Sequence, residues 1–270
     1  MTKLNKKVLI VGCGWLGFPL AVSLKNLGHD VFCTTRNNAD IDFFNLCGLS
    51  PVFFDSDTPI SFSQFSNYFD AVYCFLPFKR SFVDPSIYFN QIKAVLFALN
   101  KTKVNQFFFS SSTSIYPLLN QTAYESDDLP LDTLRQQILH QTEQLILNDS
   151  NFKGIVFRFA GLYGPNREIG SFLKPSRKKL VATHPVNLIH LDDCIAICKT
   201  VLFSSILPGI YNLVSDAHPS KKELYEKVME LKGLSHEDIF SSADESFKVI
   251  SNQRIKEAIN YSFIYPNPKG

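Results

Sequence analysis

The sequence predicts an α/β fold built on a doubly wound parallel sheet, and three observations support this prediction. Short apolar runs alternate with segments of helical periodicity. This order is typical of parallel sheets, because each crossover between parallel strands needs a long connection, usually a helix. A glycine-rich turn joins the first apolar run to the first helical segment. With 270 residues, 45% of them hydrophobic, the chain is long and apolar enough to bury a full core.

The first 160 residues contain most of this alternation. The predicted strands are 7–11, 30–35, 51–54, 70–75, 104–109 and 154–158, and the predicted helices are 16–27, 40–47, 86–99 and 132–147. A further strand and helix are predicted between 186 and 203, whereas the segment that begins at 161 is rich in turn-forming and polar residues. We therefore predict one large domain over 1–160, to which 186–204 return, and a small C-terminal lobe formed by 161–185 and 205–270.

The turn after the first strand contains the pattern G-x-G-x-x-G, at Gly12, Gly14 and Gly17. In this pattern the first glycine permits a tight turn, the second lets the backbone approach a pyrophosphate, and the third packs the helix against the strand. The helix N-terminus adds N–H donors and the positive end of a dipole. Strand, turn, helix and second strand follow in the required order, so the sequence predicts a Rossmann-type fold that binds a dinucleotide. We expect Trp15 and Leu16, inside the turn, to contact it as well.

The end of the second predicted strand bears on which dinucleotide binds. NAD-binding folds usually carry an acidic residue there, about 20 residues after the glycines, but Asp30 lies at the opposite end of this strand. Thr35 and Arg36 instead offer a hydroxyl and a guanidinium where a 2′-phosphate would lie, and Arg binds phosphate through planar, bidentate donors. The sequence therefore favours NADP. NAD is the alternative, if Arg36 is only a solvated surface residue.

The other candidate cofactor contacts come from the carboxyl ends of further strands, where ligands bind in open parallel sheets. They are Leu76, Pro77, Ser110, Gly161 and Leu162. Because the carboxyl ends of parallel strands share one edge of a sheet, we expect these residues on the same rim as the glycine turn.

Charge and composition exclude several classes of function. A net charge of +2 gives no reason to expect binding to nucleic acid or to a membrane surface. No apolar run approaches the ~18 residues that a membrane span requires. We expect a cytoplasmic protein with a small-molecule substrate.

The six cysteines lack metal-ligand spacing, so we expect reduced core thiols and no bound metal. A basic stretch in the predicted lobe is either a solvated loop or a contact for substrate phosphates: Lys174, Arg177, Lys178 and Lys179.

Four segments, in this order and spacing, resemble motifs of one known family. They are residues 104–116, 156–165, 187–193 and 209–213. On these segments the chain resembles the extended short-chain dehydrogenase/reductase family, of the NAD-dependent epimerase/dehydratase type, in a shortened and atypical form. The resemblance implies a nicotinamide cofactor and a substrate lobe at the C-terminus. It also implies chemistry on a hydroxyl or carbonyl group of a small or nucleotide-linked, sugar-like substrate, and the homodimers common in the family.

The resemblance further implies a catalytic Tyr, a Lys four residues later and a substrate-binding Ser. Ser112 takes the Ser position. In the family a Glu follows the Lys by about one helical turn, and Glu143 in that role puts Arg135 at the Tyr position and Leu139 at the Lys position. No Tyr lies between residues 125 and 162. The Tyr–Lys pair is therefore absent from its expected helix.

Several residues are candidates to replace that pair. Tyr116 and Tyr124 follow the Ser motif and could supply a phenol, although packing in a turn explains them equally well. His140 has a pKa suited to proton transfer but points away from the Lys direction, because a helix rotates by about 100° per residue. Arg135 could hold an anionic substrate by charge-assisted hydrogen bonds, or it could be a solvated helix residue.

Three functions are compatible with the sequence. The first is an NAD(P)-dependent oxidoreductase or epimerase-like enzyme in which Ser112 orients the reacting oxygen and Arg135 and Leu139 replace the Tyr–Lys pair. The second is a catalytically silent NADP(H)-binding sensor or scaffold, because a protein can keep its fold after it has lost its catalytic residues. The third is a β-hydroxyacid-dehydrogenase-like enzyme, since residues 11–20 also resemble that group, but the strand signals after residue 160 argue against its all-helical C-terminal domain.

Overall fold

The computed structural model describes residues 5–79, 82–172, 179–235, 239–241 and 246–268. Contacts divide the chain into two compact units. Unit 1 comprises 1–115, 131–158 and 198–210, and unit 2 comprises 116–130, 159–197 and 211–270. This division differs from the predicted one: 116–130 and 159–160 belong to unit 2, and 198–210 rather than 186–204 return to unit 1.

The described strands and helices follow the predicted alternation. In chain order the strands are β1 (Lys7–Val11), β2 (Asp30–Thr35), β3 (Ser50–Phe53), β4 (Tyr68–Cys74), β5 (Lys103–Ser112), β6 (Gln121–Ala123), β7 (Lys153–Phe159), β8 (Gly161–Tyr163), β9 (Leu180–Val181), β10 (Leu188–His190), β11 (Gly209–Leu213), β12 (Phe240–Ser241) and β13 (Lys248–Ile250). The helices are α1 (Gly17–Asn26), α2 (Ala39–Leu46), α3 (Ser86–Leu99), α4 (Leu134–Leu147), α5 (Leu191–Val201), α6 (Lys221–Lys232) and α7 (Gln253–Ile259).

Seven of these strands form one sheet, in the order β11-β7-β5-β4-β1-β2-β3. The pairings among β1, β2, β3, β4 and β5 are all parallel. The chain runs outward from β1 to β3 and then crosses back to β4 on the other side of β1. This reversal creates a switch point between β1 and β4, where the carboxyl ends of strands in such sheets leave a crevice for ligands. The predicted fold class, a Rossmann-type doubly wound sheet, is confirmed.

Aromatic packing fills the centre of unit 1. The ring of Phe108 stacks on Tyr73 at 4.5 Å between centroids, on neighbouring strands of the sheet. Phe107, Phe108 and Phe109 on β5 are all fully buried, so the phenylalanine-rich run is core, as strand burial on both faces of a parallel sheet requires. The position of α4 is fixed at its start by a capping box, in which Thr133 and Gln136 exchange hydrogen bonds between side chain and backbone.

Unit 2 contains three short parallel strand pairs, β8 with β10, β9 with β12 and β6 with β13. A buried cluster around Tyr163, Leu188 and Met229 forms its described core. The buried carboxylate of Asp193 holds the C-terminal segment: it accepts hydrogen bonds from the Tyr261 hydroxyl at 2.7 Å and from the backbone N–H of Tyr265 at 3.0 Å. The strand and helix predicted between 186 and 203 correspond to β10 and α5, but the other two- and three-residue strands of unit 2 (β6, β8, β9, β12 and β13) were not predicted, because such short strands carry no readable periodicity.

Two further observations concern function classes. In the part of the chain that the structure describes, no helix is both long and apolar enough to cross a membrane. Within the same residues, no group of three or more His, Cys, Asp or Glu side chains is arranged to hold a metal ion.

Candidate functional site

The glycine turn between β1 and α1 is tightly packed at two positions and open at the third. Gly12 has a φ of +90°, and a Cβ added there would lie 2.9 Å from the carbonyl carbon of Phe75. A Cβ on Gly17 would lie 2.4 Å from the carbonyl oxygen of Gly12. A Cβ on Gly14 would meet no atom within 4 Å. Gly12 and Gly17 are therefore glycines because the protein itself fills the space, whereas the side-chain position at Gly14 is open space.

Backbone hydrogen bonds hold this turn in place. The N–H of Gly14 donates to the carbonyl oxygen of Gly12 at 2.9 Å, and the N–H of Phe18 donates to the carbonyl of Gly14 at 2.9 Å. The N–H of Gly12 donates to the hydroxyl of Thr34 on β2 at 3.0 Å. The first turn of α1 contains Pro19, whose missing N–H costs nothing at a helix start. The turn and the helix N-terminus thus form a fixed concave backbone.

The end of β2 lies next to this turn, and its polar residues have different partners. Thr35 is buried, and its hydroxyl donates to Asp40 at 2.9 Å while accepting from the N–H of Asn37 at 3.0 Å. Arg36 is exposed, and among the described residues it has no hydrogen bond or ion pair. Of the two residues predicted to contact a 2′-phosphate, Arg36 is therefore available for a ligand, and Thr35 is engaged in the turn from β2 to α2.

Segments after β4 and β5 complete the rim within unit 1. The backbone of Phe75 and Leu76 packs directly against Gly12, and Pro77 beyond it is exposed. Ser110 accepts a hydrogen bond at its carbonyl oxygen from the buried Tyr88 hydroxyl at 3.4 Å. The hydroxyl of Ser112 is half-buried and accepts a hydrogen bond from the N–H of Ser114 at 3.1 Å. Ser112 can still donate its own proton, because a hydroxyl is both donor and acceptor.

Arg135, at the family's Tyr position, contacts the segment after β4. One guanidinium nitrogen donates to the carbonyl oxygen of Phe78 at 2.5 Å and another to that of Lys79 at 3.4 Å. The guanidinium also lies 3.7 Å from the centre of the Phe78 ring, and that ring stacks on Tyr88 at 4.4 Å. At the Lys position, Leu139 is buried and apolar. Arg135 is thus part of a stack that fixes residues 78 and 79 to the start of α4.

A buried ion pair lies farther along α4. Glu143 accepts two hydrogen bonds from Arg158 on β7, one from Nε at 3.0 Å and one from an Nη at 2.7 Å. Glu143 also accepts from the hydroxyl of Ser111, on β5. Both members of the ion pair are almost fully buried, so the carboxylate needs these donors to be stable away from water. The network fixes the end of β5, which carries Ser110 and Ser112.

The remaining predicted site residues belong to unit 2. Tyr116 is buried, and its hydroxyl donates to the Asn212 side chain at 2.8 Å. Gly161 and Leu162 lie on β8, where Gly161 pairs with Leu188. Tyr124 and Lys179 are exposed. Lys174, Arg177 and Lys178 lie outside the described residues.

His140 and His190 have surroundings of different kinds. His140 is half-buried on α4, and its Nδ1 has no hydrogen-bond partner among the described residues. His190 accepts at Nδ1 from the N–H of Asp192 at 3.2 Å and stacks on Tyr265. This packing gives His190 a structural role in unit 2.

Sequence reasoning missed two residues of the site, Phe75 and Phe78, and the contact that a third, Thr34, makes. Thr34 holds the glycine turn by a contact across 22 residues of sequence, Phe75 closes the space behind Gly12, and Phe78 receives Arg135 across 57 residues. A Thr late in a strand and two phenylalanines after another strand carry no local signal for these contacts. Only the pairing of β1 with both β2 and β4 brings them to the turn.

The turn fits the pyrophosphate of a dinucleotide. Gly14 leaves open the space that a side chain would fill, and the N-terminus of α1 adds N–H donors beside it. With the β1–β4 switch point, these features define the class: a Rossmann-type dinucleotide-binding protein. The model of the NAD dependent epimerase/dehydratase family matches residues 8–212. The chain belongs to this family.

Individual relatives agree with that assignment. The chain is 28% identical over 272 residues to Protein YeeZ of Escherichia coli K12, and the match covers 97% of both chains. Its structure is similar to that of a conserved protein from Silicibacter pomeroyi, with a TM-score of 0.74, 22% identity and coverage of 98% and 96%. It is also similar to UDP-glucuronic acid 4-epimerase from Bacillus cereus in complex with NAD, with a TM-score of 0.77, 17% identity and coverage of 97% and 95%.

Proposed function

We propose that this protein is an NAD(P)-dependent enzyme that oxidises or epimerises a hydroxyl or carbonyl group of a nucleotide-linked, sugar-like substrate. The observation that carries the proposal is the glycine turn, closed by protein at Gly12 and Gly17 and open at Gly14. The Bacillus cereus relative, a UDP-glucuronic acid 4-epimerase in complex with NAD, supports both the cofactor class and the substrate class. A bound nicotinamide would supply the hydride chemistry. This chain would bind and orient the cofactor and the substrate and would exclude water from them.

Within this proposal the residues of unit 1 have different roles in binding and positioning. The turn at 12–17 holds the pyrophosphate, and Leu76, Pro77 and Ser110 line the space beside it. Ser112 donates a hydrogen bond to the reacting oxygen, because the one bond that its hydroxyl accepts, from the N–H of Ser114, leaves the O–H available to donate. Arg135 acts as a positioning residue: its guanidinium holds residues 78 and 79 through their carbonyl oxygens and through the Phe78 ring.

We further propose that NADP binds more tightly than NAD, because the exposed guanidinium of Arg36 at the end of β2 has no protein partner among the described residues. A 2′-phosphate would supply that partner. The carboxylate of Asp40, nearby in sequence, accepts hydrogen bonds from the side chains of Thr35 and Asn37.

A homodimer is also part of the proposal. Helices α3 and α4 expose the apolar side chains Ile87, Phe97 and Leu134, and apolar surface of this kind is stabilised by burial against a second copy. Sedimentation of the purified protein over a range of concentrations tests this point. A monomer at all concentrations contradicts it.

A second candidate function, a silent dinucleotide-binding sensor or scaffold, is favoured by specific contacts. Three of the residues at or near the expected positions have protein partners or lack suitable chemistry: Leu139 is apolar and buried, Arg135 binds Phe78, and the phenol of Tyr116 binds Asn212. A protein with these contacts could keep the cofactor and lack a proton donor. The enzyme would instead depend on Ser112 or water for the proton.

The test is a two-stage measurement on the full chain. Titration with NADH and NADPH is followed through the fluorescence of Trp15, the only Trp and a residue of the glycine turn. The protein is then incubated with NAD or NADP and a panel of UDP- and dTDP-linked sugars. Absorbance of the reduced nicotinamide reports net oxidation, and chromatography of the products reports epimers, which form without net reduction.

Each outcome separates the two functions. Saturable binding with turnover of a nucleotide sugar supports the enzyme. Saturable binding without any product across the panel supports the sensor or scaffold and contradicts the enzyme. If neither dinucleotide binds, both functions are wrong.

A further inference from the structure

Unit 2 contains a lysine, Lys248 on β13, that is partly withdrawn from water. Its side chain is half-buried, and its Nζ donates a hydrogen bond to the carbonyl oxygen of Tyr116 at 2.6 Å. Among the described residues, Lys248 has no carboxylate as an ion-pair partner. An ammonium group has three N–H donors and no acceptor, so two donors remain after the bond to Tyr116.

Other half-buried lysines of the chain show what is unusual about Lys248. Lys6 pairs with Asp70 at 3.3 Å, and Lys256 pairs with Asp216 at 2.7 Å. A carboxylate offsets part of the cost of removing an ammonium group from water, whereas a carbonyl oxygen carries only a partial charge. Burial lowers the pKa of Lys248 from 10.5 to about 8, the direction expected of an amine without an anionic partner.

The described titratable groups around this lysine have other contacts. Strand β6, which pairs with β13, carries no titratable side chain. The hydroxyl of Tyr116 donates to the side chain of Asn212 at 2.8 Å, and Glu125 accepts from the backbone N–H of Asn212 at 2.7 Å. His184 packs against the ring of Phe247, with 5.7 Å between ring centroids. The described part of unit 2 therefore supplies no negative charge to the amine.

Hydrogen bonds on both sides of Lys248 fix the backbone of β13. The side chain of Asn187 donates to the carbonyl oxygen of Lys248 at 2.9 Å and accepts from the N–H of Ile250 at 2.9 Å. The side chain of Asn120 accepts from the N–H of Phe247 at 2.8 Å. A backbone held in this way positions the ammonium group before a ligand arrives, so binding requires less ordering of the protein.

We propose that the ammonium group of Lys248 binds an oxyanion, a carboxylate or a phosphate group, of the nucleotide-linked substrate. The oxygen atoms of these groups accept charge-assisted hydrogen bonds and supply the negative charge that the described residues do not. The identity of the ligand as a nucleotide-linked substrate rests on the proposed function. The binding of an oxyanion does not, because Lys248 and its contacts are the same whatever the substrate is.

Protonation and anion binding are coupled at this site. The oxyanion binds the charged amine, and a pKa of about 8 means that the amine is mostly charged at pH 7 and mostly neutral at pH 9. Affinity for an anion of constant charge, such as sulfate, should therefore fall about tenfold from pH 7 to pH 9. A surface lysine with a pKa near 10.4 would give almost no change over this range.

The experiment measures acetylation of individual lysines of the full chain by acetic anhydride, with peptide mapping by mass spectrometry. The protein is labelled with and without sodium phosphate, sodium sulfate or sodium glucuronate, and sodium chloride keeps the ionic strength equal. An anion at ten times its dissociation constant should slow acetylation of Lys248 about tenfold, by mass action. Lys101, which is exposed in unit 1, is the internal control and should be acetylated at an unchanged rate.

Nucleotide-linked probes distinguish the two sources of the oxyanion. If the amine binds a phosphate group, UDP, UDP-glucose and UDP-glucuronate should protect Lys248 from acetylation at similar concentrations. If it binds a carboxylate of the sugar, UDP-glucuronate should protect at a concentration at least about tenfold lower than UDP-glucose, because only the former makes the charge-assisted hydrogen bond.

Three variants separate the charge of Lys248 from its packing. The measurement is the rise in the thermal unfolding midpoint on addition of sodium sulfate. Sulfate also stabilises folded proteins without binding to a site, so Lys227→Met, which removes an exposed amine of the same unit, is the matched control. Lys248→Arg and Lys227→Met should keep the wild-type response, and Lys248→Met should show a smaller one. If Lys248→Met fails to fold, acetylation of the wild type still tests the site.

The outcomes distinguish this inference from the proposed function. Acetylation of Lys248 that no anion slows overturns the anion site, and so does protection by sulfate that is equal at pH 7 and pH 9. Protection by free anions but by no nucleotide-linked sugar supports the anion site and overturns its use by the proposed substrate. If no dinucleotide binds, the proposed function fails, whereas the anion site stands or falls on the acetylation of Lys248.

Discussion

Arg36 is the residue on which the choice between the two dinucleotides depends. Its guanidinium is exposed and, among the described residues, makes no hydrogen bond. We predict that Arg36→Ala weakens NADPH binding by roughly 10–100-fold, the equivalent of the 1.5–3 kcal/mol typical of a hydrogen bond to a charged group. NADH binding should change less than about twofold, because its ribose carries no phosphate for Arg36 to bind. Trp15 fluorescence titration measures both affinities.

The control for this prediction is Lys101→Ala, which removes an exposed cation of the same unit at the end of α3. It should leave both affinities unchanged. Equal losses for NADPH and NADH in Arg36→Ala would show that Arg36 stabilises the turn rather than a 2′-phosphate, and the preference for NADP would be wrong.

Arg135 poses a different question, because its guanidinium contacts the protein itself. It lies over the Phe78 ring and donates to the carbonyl oxygens of residues 78 and 79. Lys cannot reproduce that planar, forked arrangement, although it keeps the charge. We predict that Arg135→Lys and Arg135→Gln lower dinucleotide affinity by similar factors, each by about three- to tenfold, since each loses hydrogen bonds worth roughly 0.5–1.5 kcal/mol.

Comparison of the two variants separates positioning from substrate binding. If Arg135 binds an anionic substrate directly, the retained charge of Arg135→Lys should restore the KM for that substrate, whereas Arg135→Gln should not. Rescue by Lys would therefore contradict the positioning role and support the substrate contact that the sequence suggested. Dinucleotide titrations together with KM values for a turned-over nucleotide sugar provide the measurement.

At the scale of elements, the glycine turn needs tight packing against the protein at one position and open space at another. Mutations can test these two requirements separately. Gly14→Ala should leave stability almost unchanged, because the new methyl group meets no atom within 4 Å. The same methyl group lies where a pyrophosphate would approach, so dinucleotide affinity should fall by at least about tenfold. Gly17→Ala should instead destabilise the fold by roughly 1–3 kcal/mol, as overpacking does, since its Cβ would lie 2.4 Å from the carbonyl oxygen of Gly12.

Urea unfolding and fluorescence titration on the same two variants test this contrast. Loss of stability in Gly14→Ala would mean that the open space is needed by the protein itself. Retention of full dinucleotide affinity in Gly14→Ala would mean that no ligand approaches there, which would also remove the observation that carries the proposed function.

Helices and strands with a clear apolar periodicity were predictable from the sequence. The contacts between residues far apart in the sequence were not. The strand predicted at 7–11 and the helix at 86–99 match β1 and α3 residue for residue. Such elements are predictable because their apolar periodicity is visible within a short stretch of sequence. The helix predicted from 132 begins at Leu134 because Thr133 caps it. The contacts of Arg135 with Phe78 and of Thr34 with Gly12 depend on how distant strands pair, and a single sequence carries no signal for such pairing.

At the scale of the whole molecule, the sequence predicted the sheet, but the boundary it drew between the two parts of the chain differs from the division into compact units. Residues 116–130 follow β5 directly and look like part of the same domain, yet β6 within them pairs with β13 near the C-terminus. That pairing joins segments 127 residues apart. Each of these three-residue strands buries only its last residue, Ala123 or Ile250, so there is no alternation from which the sequence could reveal the pair.

The β6–β13 pairing also buries a cation, and this gives the molecule a predictable pH dependence. Lys248 on β13 donates to the carbonyl oxygen of Tyr116 at 2.6 Å, and burial lowers the pKa of its amine from 10.5 to about 8. Between these two values the unfolded chain binds a proton at Lys248 that the folded chain does not. The free energy of unfolding must therefore rise with pH through this window, whereas below pH 8 both states carry the proton and the cost of burying the charge persists in full.

We predict that the free energy of unfolding of the wild type, minus that of Lys248→Met, is constant up to about pH 7 and increases from pH 8 toward 10.5. Urea unfolding at steps of about one pH unit gives this difference, in which the titration of every other Lys and Tyr cancels to first order. The matched variant Lys101→Met removes an exposed amine and should show no such increase. A difference that falls with pH would mean that the Tyr116 carbonyl stabilises the charged amine more than burial opposes it. The pairing of β6 with β13 would then be held by that ionic hydrogen bond and should weaken, rather than strengthen, as the solution becomes alkaline.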